Sequence, residues 1–118
     1  MKKILCLALF LFLQVSFSQT QEDYQKIINE ISEGYNAKDA NKIFSVFSAD
    51  LQSTFTLEKV KTFITDNQTK KGSMGGYTFL IDEDKEKRYL IEFEHSSMIL
   101  ILGLSKDNKI TKFTLEEY

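Results

Sequence analysis

The 118-residue chain carries one cysteine, one histidine and no proline, and its formal charge is −2. A single cysteine rules out a disulfide-stapled scaffold, and one histidine beside it leaves only carboxylates for a metal, a set suited to hard cations. The acidic balance lacks the basic stripe of a nucleic-acid binder, so nucleic acid is excluded as a partner.

Residues 1–18 read as a secretory signal peptide. Lys2 and Lys3 form a positive start, residues 4–15 an apolar run broken by Gln14, and Ser16 and Ser18 place small side chains at −3 and −1 of a cut before Gln19. The run falls short of the roughly 20 apolar residues that a spanning helix needs. Cys6 opens the run with no small residues before it, which disfavours lipid attachment. Cleavage would remove Cys6, Lys2 and Lys3 and take the charge from −2 to −4. The expected destination is the periplasm or exterior of a bacterial cell, with residues 19–118 as one domain. No membrane span is expected after cleavage, because the apolar run at residues 98–104 suits a strand.

Tyr24, Ile27, Ile28, Ile31 and Tyr35 follow i, i+3, i+4, i+7, i+11 spacing, one face of an amphipathic helix of three to four turns. Glu22 and Asp23 suit its positive N-terminal end. Residues 36–39 read as a tight connection, and Asp39 can cap a second helix carrying Ala40, Ile43, Phe44 and Phe47. Ser48 can cap a single further turn with Leu51. Thr56 caps a third helix whose apolar face is Leu57, Val60, Phe63 and Ile64, and Lys59, Lys61, Lys70 and Lys71 read as its solvated face.

Residues 72–76, Gly-Ser-Met-Gly-Gly, read as a flexible break, after which the apolar period falls from 3.6 to 2. Tyr77, Phe79 and Ile81 alternate with polar or outward positions, as do Tyr89, Ile91 and Phe93, and residues 83–87 make a charged hairpin tip. Residues 97–104 are apolar on both faces, as in a central strand covered on both sides. Residues 105–109 form a turn, and residues 110–118 a last strand with Thr111, Phe113 and Leu115 on one face. The expected fold is α+β: three N-terminal helices packed on one face of a curved four-stranded antiparallel sheet.

Reactive motifs are scarce. Gly72-Ser73-Met74-Gly75 lacks the Gly-x-Ser-x-Gly spacing and no Ser-x-x-Lys occurs, which excludes the common acyl-transfer nucleophiles. Asp82-x-Asp84-x-Glu86 has the look of a calcium-loop start, but Lys87 stands where the loop needs glycine, so it reads as a solvated tip. No metal or cofactor is expected. The candidate pocket lining is Tyr35, Phe47, Tyr77, Tyr89, Phe93 and His95, with His95 continuing the parity of Tyr89, Ile91 and Phe93 towards the concave face. No catalytic residue is assigned, because Glu92 and Glu94 fall on the opposite face of a regular strand from Tyr89 and Phe93.

The runs Tyr35-Asn36-Ala37-Lys38-Asp39, Ile43-Phe44-Ser45-Val46-Phe47-Ser48, Leu51 and Thr56-Leu57-Glu58, with the tail from Leu100 to Ile110, carry a resemblance. Over about residues 20–117 the chain resembles a small domain family of unknown function in the nuclear transport factor 2-like, or cystatin-like, superfamily. The resemblance implies a cone of helices against an antiparallel sheet. Such domains often precede a secreted serine hydrolase or penicillin-binding-type domain, whereas this chain is expected to act alone on a separate molecule. The superfamily holds enzymes such as ketosteroid isomerase and many non-catalytic binders, so fold alone does not choose between them. The expected function is an exported, non-catalytic binding or interaction module for a protein or cell-envelope partner or a small apolar ligand, with a homodimer through the sheet as a further expectation. The alternative is an isomerase- or dehydratase-like enzyme with a tyrosine-lined pocket.

Overall fold

The computed structural model describes residues 20–83 and 85–118, and the expected signal peptide at residues 1–18 lies outside them. The first helix begins where the Thr20 hydroxyl accepts the N–H of Asp23 and the Asp23 carboxylate accepts the N–H of Thr20. This reciprocal cap starts α1, Gln21–Asn36, which buries Tyr24, Ile27, Ile28, Ile31 and Tyr35 along the predicted face. Asp39, Ser48 and Thr56 cap α2 (Ala40–Phe44), α3 (Ala49–Thr54) and α4 (Leu57–Lys71) in the same way, each side-chain oxygen accepting the backbone N–H three residues on.

The spacing predicts three helices and one turn, whereas the described residues form four helical segments. The second helix stops at Phe44 because the next residues leave it for the sheet. Ile110 donates its N–H to the Val46 carbonyl and accepts the N–H of Ser48, so that Phe47 forms a parallel bridge with Ile110. The predicted turn at Ser48 then becomes the six-residue α3.

Four strands follow: β1 (Met74–Glu83), β2 (Glu86–Phe93), β3 (Ser97–Leu104) and β4 (Ile110–Glu117). They form an antiparallel meander in sequence order, with β1 and β4 at the edges. The fold is therefore α+β. The inner face of the sheet contributes Tyr89, Ile91, Phe93, Leu100, Leu102 and Phe113 to one core shared with α1, Ile43, Val60 and Ile64. No described helix is long and apolar enough to cross a membrane.

Several sequence expectations change in the sheet. The Gly-rich break is shorter than expected, since Met74, Gly75 and Gly76 already belong to β1. The alternation of Tyr77, Phe79 and Ile81 is interrupted: Phe79 opposes Tyr89, but Leu80 and Ile81 together oppose the single residue Arg88. This bulge moves Ile81 to the outer face with Thr78 and Leu80. Lys87 is no hairpin tip; it lies within β2 on the inner face and is only 8% exposed. On the outer face of β3, Ile101 is 3% exposed although it stands outside the main core. It opposes Arg88 on one side and Thr114 on the other, and the Arg88 guanidinium is ion-paired to Glu83 and Glu116. The aliphatic stem of that arginine supplies the cover that the sequence reading assigns to a second layer.

The helical layer is tied to the sheet at one place above all. Asn36, at the end of α1, donates Nδ2 to the Met74 carbonyl at 2.9 Å and accepts the Met74 N–H on Oδ1 at 2.8 Å. Tyr35 donates its hydroxyl to the Gly72 carbonyl at 2.8 Å, and Gln68 of α4 donates to the Tyr35 carbonyl at 2.6 Å. Gly72 turns with φ of +80°, and a Cβ there would lie 2.6 Å from Glu94 Oε1. That carboxylate accepts the backbone N–H and hydroxyl of Ser73, so it has little freedom to withdraw. Asn36→Ala strips both Met74 backbone groups of their side-chain partner and is expected to cost about 1–3 kcal/mol. Gly72→Ala adds a left-handed backbone penalty of about 1 kcal/mol to a steric clash. Urea unfolding of both variants, read as a lower midpoint at unchanged slope, checks these values.

Candidate functional site

The six candidate lining residues do not meet in one chamber. Tyr35 and Phe93 form an edge-on pair with ring centroids 5.6 Å apart, and Phe63 packs edge-on against Tyr35 at 6.3 Å. Tyr89 is surrounded by Tyr24, Tyr77 and Phe79, with centroids 6.4, 6.0 and 5.6 Å away. Phe47 packs with Phe44, Phe55 and Phe113, and Phe63 joins these rings to Tyr35. Tyr35, Phe47, Tyr89 and Phe93 are buried, Tyr77 is half-buried, and His95 is exposed in the turn after β2. There its backbone N–H donates to the Lys71 carbonyl, which tethers the turn to the end of α4.

The buried phenols are occupied. Tyr35 is bonded to Gly72 as above, and Tyr89 donates its hydroxyl to Gln21 Oε1 at 2.9 Å. Burial raises the Tyr35 hydroxyl to about 12, with the Glu94 charge adding to the effect. Burial likewise pushes Tyr89 upward, assisted by Tyr24 and Tyr77, and it raises Tyr24. All three therefore stay protonated at neutral pH, and Tyr35 and Tyr89 act as donors. The carboxylates that depart clearly from their ordinary range, Asp23, Glu94 and Asp107, all move down. In Asp23 and Glu94 backbone hydrogen bonds from Thr20 and Ser73 dominate, and in Asp107 the Ser105 hydroxyl does. An upward shift, the mark of a carboxylate poised as a general acid, is shown by none of these three groups.

Lys87 is the residue that sequence reasoning missed. Its ammonium pairs with Asp82 at 2.8 Å and lies 5.1 Å from the centre of the Tyr24 ring and 5.8 Å from that of Phe79. The signal was present, because Lys87, Tyr89, Ile91 and Phe93 share one parity, but a lysine in an acidic run reads as solvent-facing. The pair closes the end of the interior beside Phe79, with the Lys87 stem packed among rings and its charge neutralised.

What stays accessible lies at the surface. Along edge strand β1, Phe79, Leu80 and Ile81 are 40%, 43% and 50% exposed. A groove of about 380 Å³ runs between α4 and β4, lined by Phe55, Phe63, Lys71, Met98, Phe113 and Leu115. A more polar depression of about 480 Å³ opens between the start of α3 and the turn before β4, against Ser48, Asp50, Asp107 and Lys109. Among the described residues no group of three or more histidines, cysteines or carboxylates is placed to hold a metal ion.

Comparison with known proteins gives no match for this chain among protein-family models, curated proteins or solved structures.

The raised tyrosines set an alkaline limit. A phenol whose folded value lies above its unfolded value of 10.0 favours the native state fully below that pH, and the contribution is lost as pH rises through the folded value. Stability is therefore expected to fall between pH 10 and about 12 as the unfolded chain ionises Tyr35 ahead of the folded one. Unfolding free energies measured across this window, with phenolate absorbance followed in parallel, check the sign. The fall is expected to be shallower in Tyr35→Phe.

Proposed function

We propose that the chain is an exported, non-catalytic binding module with the helix-on-sheet cone of the nuclear transport factor 2-like superfamily, and that it engages a protein or cell-envelope partner through its surface. The observation that carries this reading is the state of the tyrosines. Their rings are packed into separate clusters, and the hydroxyls of Tyr35 and Tyr89 are spent on Gly72 and Gln21. A small ligand entering the interior would have to break those bonds and part the rings. The apolar strand edge and the groove beside β4 need no such opening. The sequence of residues 1–18 supports export, and the sheet meander under one helical layer supports the superfamily.

Expression of the full chain in a bacterial host, followed by fractionation and intact mass measurement, is expected to give a periplasmic or external species beginning at Gln19. An unprocessed cytoplasmic product overturns the export part. Crosslinked capture from the envelope fraction is expected to recover a specific protein or wall component, with Tyr35→Phe and Tyr89→Phe capturing as well as the parent. Loss of capture in those folded variants would move the binding site to the interior.

A further inference from the structure

β4 is an outer strand, and among the described residues no further strand of the sheet lies beyond it. At its start that edge is already occupied. Ile110 donates to Val46 and accepts from Ser48, so residues 46–48 lie against it as a short parallel strand would. The chain then turns away into α3 at Ala49. The outer-face charges of β4 do not guard the remaining edge, since Lys112 is drawn back to Glu86 and Glu116 to Arg88.

This stretch of β4 forms one wall of the groove beside α4. Phe113, Thr114 and Leu115 all line it. Successive residues of a strand point to opposite faces, so three in a row line a groove when the backbone edge is itself part of the wall. The other wall is Phe63, Asn67 and Lys71, which stand four apart on one face of α4 and span about 12 Å at the helical rise. That is the length of about four residues of extended chain. Phe63 lies against Phe113 at one end, with ring centroids 5.4 Å apart. At the other end Lys71 has its carbonyl held by the N–H of His95, and its ammonium has no carboxylate partner among the described residues.

We propose that this groove takes an extended segment of a partner protein, which adds to β4 as a further strand and carries apolar side chains at alternate positions followed by a carboxylate at Lys71. This inference rests on the reading of the chain as a surface-binding module and names the chemistry of its partner. The backbone edge selects a peptide over an acyl chain or other apolar ligand, which would cover N–H and carbonyl groups without bonding them. An added strand bonds them and sends every second side chain inward, beside Phe113 and Leu115. The bridge at Phe47 is parallel, and a segment that continues it runs the same way and ends at Lys71. Glu117, the next inner-face residue of β4, is exposed and stands outside the lining, so Lys71 sets the charge of the groove itself.

Titration of the purified protein with short blocked peptides, followed by backbone amide NMR, tests this. The peptides carry leucine at alternate positions in a threonine background and aspartate at the C-terminal end. The expected result is weak, exchanging binding that shifts the amides of Thr114, Leu115, Asn67 and Lys71. Asparagine in place of the aspartate is expected to weaken binding about two- to fivefold at low salt, the range of an exposed ion pair. Lys71→Glu is expected to reverse the preference towards a lysine-ended peptide. Methylation of every second peptide nitrogen is expected to abolish binding in one phase and spare it in the other, because alternate residues of an added strand face β4. That comparison needs no protein variant, so it decides the mode of binding even if Lys71→Glu folds poorly. Equal binding by both methylated phases overturns the proposal. So does decanoate shifting the same amides when no peptide does, or a dimer of this chain that buries them. No peptide binding, with envelope capture intact, overturns this inference and leaves the binding-module reading standing. Peptide binding in the groove with no envelope partner captured does the reverse.

Discussion

The join between α1 and the start of β1 is the constraint on which the rest of the molecule depends. Asn36 treats Met74 as a neighbouring strand would, giving one hydrogen bond and taking another. Tyr35 fixes Gly72 two residues earlier, and Gln68 holds Tyr35 in turn. Three elements that are distant in sequence are thereby fixed in one place. The direction in which the chain leaves α4 is set there, and with it the side of β1 that faces the helices. Every later strand inherits that choice, because each one pairs only with its predecessor.

The distribution of aromatic residues follows from the same layout. Rings that the helices can reach are stacked edge-on into a continuous core. Phe55 and Phe63 lie 6.2 Å apart, and each packs against Phe113 at 5.9 and 5.4 Å. The C-terminal half of β1 extends beyond that cover, and there the same alternation leaves Phe79 only partly sheltered by Tyr89 and Lys87. The interior is thus filled by its own side chains, and the apolar surface left over is concentrated along one border of the sheet.

The helical half of this arrangement is the more legible in the sequence. Apolar spacing marks α1 and α4, and the side-chain caps at Asp39, Ser48 and Thr56 are readable one residue at a time, since helix signals are local. The antiparallel sheet was also legible, from the charged turn after β1 and the turn at residues 105–109, and the structure adds the order of the strands. Three features were not. The bulge at Leu80–Ile81 depends on the partner strand and leaves no mark in a two-residue period. The burial of Lys87 depends on Asp82, Tyr24 and Phe79 arriving together from different elements. The separation of Tyr89 from the rings that link Tyr35 to Phe47 depends on which helix each strand meets, which no spacing rule encodes. The candidate site was legible as a set of aromatic residues and not as a shape.

The meander has a consequence for the order in which the structure can assemble. Each strand finds its partner a few residues away, so the sheet can close by successive hairpins of low contact order. The contacts between helix and sheet are of the opposite kind: Gln21 meets Tyr89 across 68 positions of sequence. In any N-to-C synthesis the helices are completed before a single strand exists. Their apolar faces, with Ile27, Ile28 and Ile31 at the centre, must wait for the sheet to cover them. Until β3 and β4 have emerged, the chain is an amphipathic helical segment without its platform, the kind of exposed apolar surface on which chaperones act.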